Sequence, residues 1–465
     1  MPNTGPLAIA LAMLATPLPA LSAQNGAAPT WTRALDSLVA AELARTGTPG
    51  VQVAIVANGQ LAYSKGYGIA DIESGRPVSA QTLFRVGSVT KMVTAATLTQ
   101  LAVQGKLDLH APIGRYVTEV AGRRVADVTT HQLLTHSAGW IDNATAYGRM
   151  GEGALGEVFR EVSDTLFFTQ PGRVISYSNP GYSMAGYVSE RAGGARFGDL
   201  AERLVLRKMG MPRATFRPLS ALTHDFSQGH IGIPGQAPVI VRPFTENTAQ
   251  WAAGFLFASA EELARFTIAL MDGGMLDGEQ VLASEAITMM TTGHMDIPGS
   301  ASARYAYGLR VGTQGAERVW SHGGSINGFD ADVTMYPDRK LAVLVFDNRS
   351  GADLRGITEF VVREAAGIEP APAPAKPTPV DLDAAARARL VGSYAQGRMR
   401  VVITDTGDAL AVRQGTSQVP AMLMSNDELV VTYPGDTERR LRLVRGADGR
   451  VEYLHTSLRA LARQP

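Results

Sequence analysis

The sequence predicts an α/β protein: an antiparallel sheet flanked by helices, interrupted by a mostly helical lobe and followed by a small all-β domain. Three observations predict it. Strand patterns stand at both ends of the first 367 residues, the stretch between them is poor in strands, and a proline-rich segment separates this part from a series of short alternating segments.

Taken in order, the chain carries no charge before Arg33, and Leu7 to Leu14 is an apolar run followed by Ala20-Leu21-Ser22-Ala23. That pattern resembles a secretory signal cleaved near Ala23, although its start lacks Lys and Arg, and it is too short for a permanent membrane span. It predicts an exported, periplasmic protein. Leu35, Leu38, Val39 and Leu43 have helical spacing, so residues 33–45 read as an amphipathic helix. Residues 51–56 and 61–65 flank Ala57-Asn58-Gly59-Gln60, a hairpin with a type I′ turn signal. The next helix carries Ser88 and Lys91, is apolar nearly all round from Met92 to Val103, and ends at Gly105, a C′ glycine.

The region up to about residue 250 reads as the helical lobe. Ser259 and Glu262 form a capping-box pattern that opens a helix through Leu263, Phe266 and Leu270. Residues 319–321, 331–336 and 341–346 read as strands and 353–366 as a helix packing back on the sheet. Five prolines between Glu369 and Val380 mark an extended, semi-rigid spacer. Beyond it, residues 399–403, 410–413, 429–433 and 441–444 are short strands punctuated by Gly-Asp and Asp-Gly turns, a sandwich or partial barrel. The predicted units are a signal (1–23), a first domain (29–367), a linker (368–380) and a β domain (381–465).

Composition narrows the function. With 45% hydrophobic and 18% charged residues the chain reads as globular, and its formal net charge of zero gives no reason to expect nucleic acid or an anionic membrane as partner. It has no cysteine, which excludes disulfides, thiolate catalysis and cysteine metal sites. The eight histidines show no His-Glu-x-x-His pattern, and His131 and His136 are poorly spaced for one helix face, so neither metal nor cofactor is expected.

Three stretches carry chemistry. In Gly87-Ser88-Val89-Thr90-Lys91, serine and lysine three apart are neighbours on a helix surface, and a desolvated neutral lysine is a base within reach of the hydroxyl. The plain alternative is a capping serine and an ordinary helix lysine. Tyr177-Ser178-Asn179 sits in a loop entering a helix; a phenol relays a proton when a nearby ammonium lowers its pKa, and an asparagine amide holds a carbonyl while touching the lysine. Ser-Asn-Pro-Gly is also simple turn chemistry. His322-Gly323-Gly324-Ser325 follows a strand residue; its glycines let a substrate backbone lie along the strand edge, and the Ser325 N–H completes an oxyanion hole with that of Ser88. A strand-end turn with a surface histidine is the competing reading.

In this order the three stretches resemble the penicillin-recognising serine hydrolases, in the branch of class C β-lactamases, D-Ala-D-Ala carboxypeptidases, D-aminopeptidases and related esterases. Ser88-x-x-Lys91, Tyr177-x-Asn179 and His322-x-Gly324 match the three family motifs, and residues 133–139 and 251–263 are also similar; the resemblance spans about 33–367. It implies a β-lactamase/transpeptidase-like fold and an acyl-enzyme on Ser88, with Lys91 and Tyr177 sharing acid and base work. Asn179, His322, Gly323, Gly324 and Ser325 would bind substrate. The module after residue 381 is similar to small lipocalin-like domains that restrict access to the site or bind another subunit. His322 and Gly323 stand where the β-lactamases carry lysine and threonine or serine, a weaker anchor for a substrate carboxylate. The resemblance therefore points to a peptidase or amidase acting next to D-residues, ahead of an esterase, a β-lactamase, or a catalytically dead protein that holds peptidoglycan fragments or a partner. The substrate is a small molecule or peptide; the sequence leaves the oligomeric state open.

Overall fold

A computed structural model describes residues 30–465 except 161, 233–235, 370–375 and 434–436. The signal expected at 1–23 and the middle of the proline-rich spacer lie outside the described residues. Among the described residues, no helix is long and apolar enough to cross a membrane.

The sheet runs Met295–Asp296, Arg304–Tyr305, Arg310–Gln314, Glu317–Ile326, Phe329–Tyr336, Leu341–Asp347, Gly50–Ala57, Gln60–Asp71 and Arg76–Pro77. The two chain ends of this unit meet at its centre, where Val51 pairs antiparallel with Asp347 and Val56 with Ala342. Both central strands are buried nearly throughout, because helices cover both faces of the sheet. Val51, Val53, Ile55, Val343 and Val345 pack with Leu35, Val39, Ile357 and Val361 of the helices Thr32–Thr46 and Arg355–Ala366. Ala54, Val56, Leu344 and Phe346 point the other way, into the large core with Leu263 and Phe266. The hairpin turn has Asn58 and Gly59 both at positive φ, as a type I′ turn requires. The three strands between residues 295 and 314 escape sequence reading, since two of them are only two residues long.

The helix Thr90–Val103 crosses the core with its residues buried from Thr90 to Leu101. Its threonines fit there because they bond backbone carbonyls: Thr97 Oγ1 donates to Val93 O (2.9 Å) and Thr99 Oγ1 to Ala95 O (2.9 Å). Ser88 precedes it in a single 3₁₀ turn, Gly87–Val89. Half of the capping box expected at Ser259 forms. Its hydroxyl accepts from Glu262 N (3.1 Å), whereas Glu262 Oε1 accepts from Arg213 N (2.9 Å).

The C-terminal strands close into an eight-stranded antiparallel barrel, from Gly392–Gln396 to Arg459–Arg463, which pair with each other. Closure removes the edges that a sandwich or partial barrel would leave. Its interior is filled by Leu390, Tyr394, Ile403, Leu429, Val431 and their neighbours. The described end of the spacer is pinned to the barrel, with Val380 N donating to Leu423 O (2.9 Å) and Ser425 N to Thr378 O (2.8 Å).

Gln52 is the one polar side chain in the buried stretch Val51–Val56. Its Nε2 donates to Ser79 O (2.7 Å) and Thr82 O (3.1 Å), and its Oε1 accepts from Ala260 N (2.6 Å), the first amide of the helix Ala260–Met271. Gln52→Leu, although it adds apolar volume, leaves two buried backbone groups, Thr82 O and Ala260 N, without the partner Gln52 gives them and is expected to cost about 2–4 kcal/mol in denaturant unfolding. A variant as stable as the parent would refute this account of the central strand.

Candidate active site

Glycine geometry brings two backbone segments together first. Gly87 has φ +50°, and a Cβ there would lie 2.6 Å from Ser325 N; a Cβ on Gly324 would collide with Val86 O and stand 3.0 Å from Ser88 N. Only residues without side chains allow this approach, which sets the amides of Ser88 and Ser325 on the two sides of one close backbone contact. Two such donors form a site for a developing oxyanion. Gly323 is open, with nothing closer to its Cβ position than Ala331 O at 3.8 Å, and Ser325 is exposed, so this strand segment faces the cleft.

Lys91 is fully buried, and its Nζ lies 3.2 Å from Ser88 Oγ and 2.7 Å from Asn179 Oδ1, with Ala253 O as a third acceptor. The faces of Tyr177 and Tyr182 stand 4.8 and 5.3 Å from the amine. Burial is the largest influence and pulls its pKa down to about 7, with Asp142 acting upward and Arg459 downward. A substantial fraction of the amine is therefore neutral at neutral pH and able to accept a proton from Ser88.

Tyr177 hydrogen-bonds Ser88, but burial holds its phenol above the ordinary range and outweighs that bond. The lowering that the sequence suggested does not occur, because loss of water around the buried phenol outweighs the neighbouring groups that act downward. A phenol that keeps its proton is a donor.

Asn179 opens the helix Asn179–Gly193 behind the cap Ser178. Its Oδ1 accepts from Lys91, and its backbone N and Nδ2 both donate to Asp142 Oδ1, at 3.1 and 3.2 Å. Nδ2 also reaches Asp142 Oδ2 (3.4 Å), so the Asn179 amide is held between the lysine and this carboxylate.

His322 is buried beneath the strand rather than displayed in the cleft. Its contacts fix both its tautomer and that of His136. Ser178 N donates to His136 Nδ1 (3.1 Å), so His136 Nε2 carries a hydrogen and donates to Tyr305 Oη (3.2 Å); Tyr305 then donates to His322 Nε2 (3.0 Å), and His322 Nδ1 donates to Gly323 O (2.6 Å). Burial first, then Lys91, pulls the His322 pKa down to about 3, and burial holds His136 well below the usual imidazole range. Both rings are neutral at physiological pH.

The structure thus gathers Ser88, Lys91, Tyr177 and Asn179 around one point with Gly323, Gly324 and Ser325 along one edge. The ring of His322 sits behind it. Sequence reasoning missed His136, Asp142, Tyr305 and Arg459. His136 lay within a stretch already matched to the family, while the other three stand in no local pattern. Among the described residues, no group of three His, Asp or Glu is arranged to hold a metal ion.

A family model described as Beta-lactamase matches residues 35–367. Among curated proteins, unguisins hydrolase ungD' of Aspergillus campestris is 27% identical over 66% of this chain and 59% of that protein. Esterase EstB of Burkholderia gladioli is 35% identical over 34% of this chain and 45% of that protein. The chain spans about half the length of these relatives. Among solved structures, SurE aligns over 93% of this chain and 99% of its own at 25% identity, with TM-score 0.78, and 0.73 for its structure with D-Leu. A D-amino acid amidase from Ochrobactrum anthropi aligns over 71% of this chain and 97% of its own, at 22% identity and TM-score 0.59.

Two outcomes follow from the geometry. Reaction of Ser88 with a fluorophosphonate should slow about tenfold per pH unit below pH 7 and level off above it, because only the neutral amine accepts the proton; a flat profile between pH 5 and 8 would contradict it. Gly324→Ala should slow the same reaction by about 10²-fold or more by forcing the two amides apart. Labelling rates at fixed probe concentration measure both.

Proposed function

The chain belongs to the β-lactamase family of serine hydrolases, and on that premise we propose that it hydrolyses amide bonds of small peptides next to D-residues through an acyl-enzyme on Ser88. The observation that carries the reading is the buried Lys91 amine, poised near neutrality between Ser88 Oγ and Asn179 Oδ1. An ordinary helix lysine would be solvated and charged, and a binding protein has no use for a desolvated base beside a serine.

In the proposed reaction, Ser88 Oγ attacks the substrate carbonyl carbon as its proton passes to Lys91 Nζ. The carbonyl oxygen becomes an oxyanion held by the amides of Ser88 and Ser325. Tyr177, which keeps its proton, hands it to the departing amine as the C–N bond breaks and is reprotonated from the Lys91 ammonium. Water then attacks the acyl carbon, gives its proton to the same base, and releases the acid with Ser88 restored. Asn179 and the edge Gly323 to Ser325 hold the substrate chain.

The preference for D-residues draws on the D-Leu held by SurE and on the D-amino acid amidase. The neutral, buried His322 supports a peptidase over a β-lactamase, since it supplies no cation at the third motif. An ester is the second reading, favoured by the 35% identity to EstB, and the same acyl-enzyme serves it.

The test is intact-protein mass after exposure to a fluorophosphonate and to a penicillin, followed by turnover of matched D- and L-amino acid amides and esters. Wild type should form the phosphonyl adduct and turn over D-amides. Ser88→Ala should lose both, with turnover down about 10³-fold or more. Absence of labelling in the wild type would overturn the mechanism, and turnover confined to esters would replace the amidase reading with the second one.

A further inference from the structure

The barrel reaches into this site through its last hairpin. The strands Val451–Thr456 and Arg459–Arg463 are joined by Ser457 and Leu458, both at positive φ without being glycine. Leu458 O accepts from Tyr177 N (2.7 Å), and the Arg459 guanidinium lies 5.4 Å over the Tyr177 ring. Next to it, Ser176 Oγ accepts from Gln396 Nε2 (2.6 Å) and Ala460 N (3.2 Å), and His455 Nε2 donates to Ile175 O (3.1 Å). Residues 175–177, which lead into the second motif, are therefore held along their length by the barrel.

Arg459 goes further. Its Nε (3.0 Å) and Nη2 both donate to Asp142 Oδ2, while Asp142 Oδ1 accepts from the backbone N and Nδ2 of Asn179, whose Oδ1 accepts from Lys91. The links are continuous from the barrel tip to the amine opposite Ser88. The Asp142 side chain is 7% exposed and that of Arg459 is 31% exposed.

We propose that Arg459 is a positioning residue of the hydrolase site: by pairing with Asp142 it fixes Asn179 and cancels the one carboxylate charge that bears on Lys91. The barrel thus completes the site in cis. This rests on the reading of Ser88 and Lys91 as nucleophile and base. The groups packed around Lys91 leave it dependent on that pair. Tyr177 and Tyr182 keep their protons, and His136 and His322 stay neutral through burial. Arg310 acts on Tyr177 and His322, not on the amine itself. Asp142 and Arg459 are the two charges that act on Lys91, in opposite directions. An unpaired Asp142 would favour the ammonium and leave Ser88 without its base.

The experiment follows fluorophosphonate labelling of Ser88 from pH 5 to 9 in the full-length wild type, Arg459→Gln, Asp142→Asn and the double variant, with Arg459→Lys as the charge-conserving control. Arg459→Gln should move the acid limb up by about one pH unit and slow labelling about fivefold at pH 7; Asp142→Asn should move the limb down. The double variant should return the limb to its wild-type position, and Arg459→Lys should leave it there. An unmoved limb in Arg459→Gln, with or without a slower rate, would reduce Arg459 to a docking contact and overturn the proposal. If that variant fails to fold, Asp142→Asn and Arg459→Lys decide it: an unmoved limb in the first, or a raised limb in the second, overturns it equally. Failure of the wild type to label would instead sink the proposed function.

Discussion

The constraint on which the rest depends is the removal of the Lys91 amine from water. A lysine inside a protein loses its hydration, and the ammonium survives only as far as neighbouring acceptors replace it. Here Asn179 Oδ1, Ala253 O and Ser88 Oγ surround it closely enough to hold the proton when it arrives, while burial favours its departure. A balance near pH 7 is what the proposed cycle needs, in which one group takes a proton from the serine and gives it back. The helix Thr90–Val103 is wrapped on all sides for the same reason: an exposed face at Lys91 would restore water and an ordinary, permanently charged lysine.

Neutrality around that amine is a second requirement, and the His136–Tyr305–His322 chain meets it. Four hydrogen bonds assign every donor and acceptor in the chain, so neither imidazole can gain a proton without breaking one. A lysine in place of His322 would set a second ammonium near Lys91 and lower the affinity of both for protons. With a locked imidazole there, the electrostatics at Ser88 are left to the Asp142–Arg459 pair.

How much of this was legible in the sequence follows from the range of the interactions. The strands Gly50–Ala57 and Leu341–Asp347 and the helix after Ser88 show in local patterns, because burial on both faces writes itself as continuous apolar runs. The three motifs were readable because each places its groups within a few residues. Tyr305 and Asp142 were not, since each acts through one contact made by folding; Asp142 and Arg459 are 317 residues apart. The direction of the Tyr177 shift was misread for a related reason. Sequence shows the ammonium beside the phenol but not that both are buried, and burial decides the sign. Barrel closure was likewise invisible, because pairing between the first and last strands leaves no mark in either.

The barrel is better regarded as a wall of the site than as an appendage. Ser176 Oγ, Tyr177 N and Asp142 Oδ2 are sheltered groups of the first unit whose partners lie on the barrel. Without it each would need water, and a buried polar group left unpaired costs about 1–3 kcal/mol, more for a carboxylate. These groups flank Tyr177 and Asn179, so their rearrangement would displace the second motif before it affected the distant sheet. A barrel joined only by a spacer would have no reason to make such contacts. The turn at Ser457 and Leu458 carries the same implication: both residues take the positive φ of a two-residue hairpin turn, and the carbonyl that this turn presents, Leu458 O, is the acceptor of Tyr177 N.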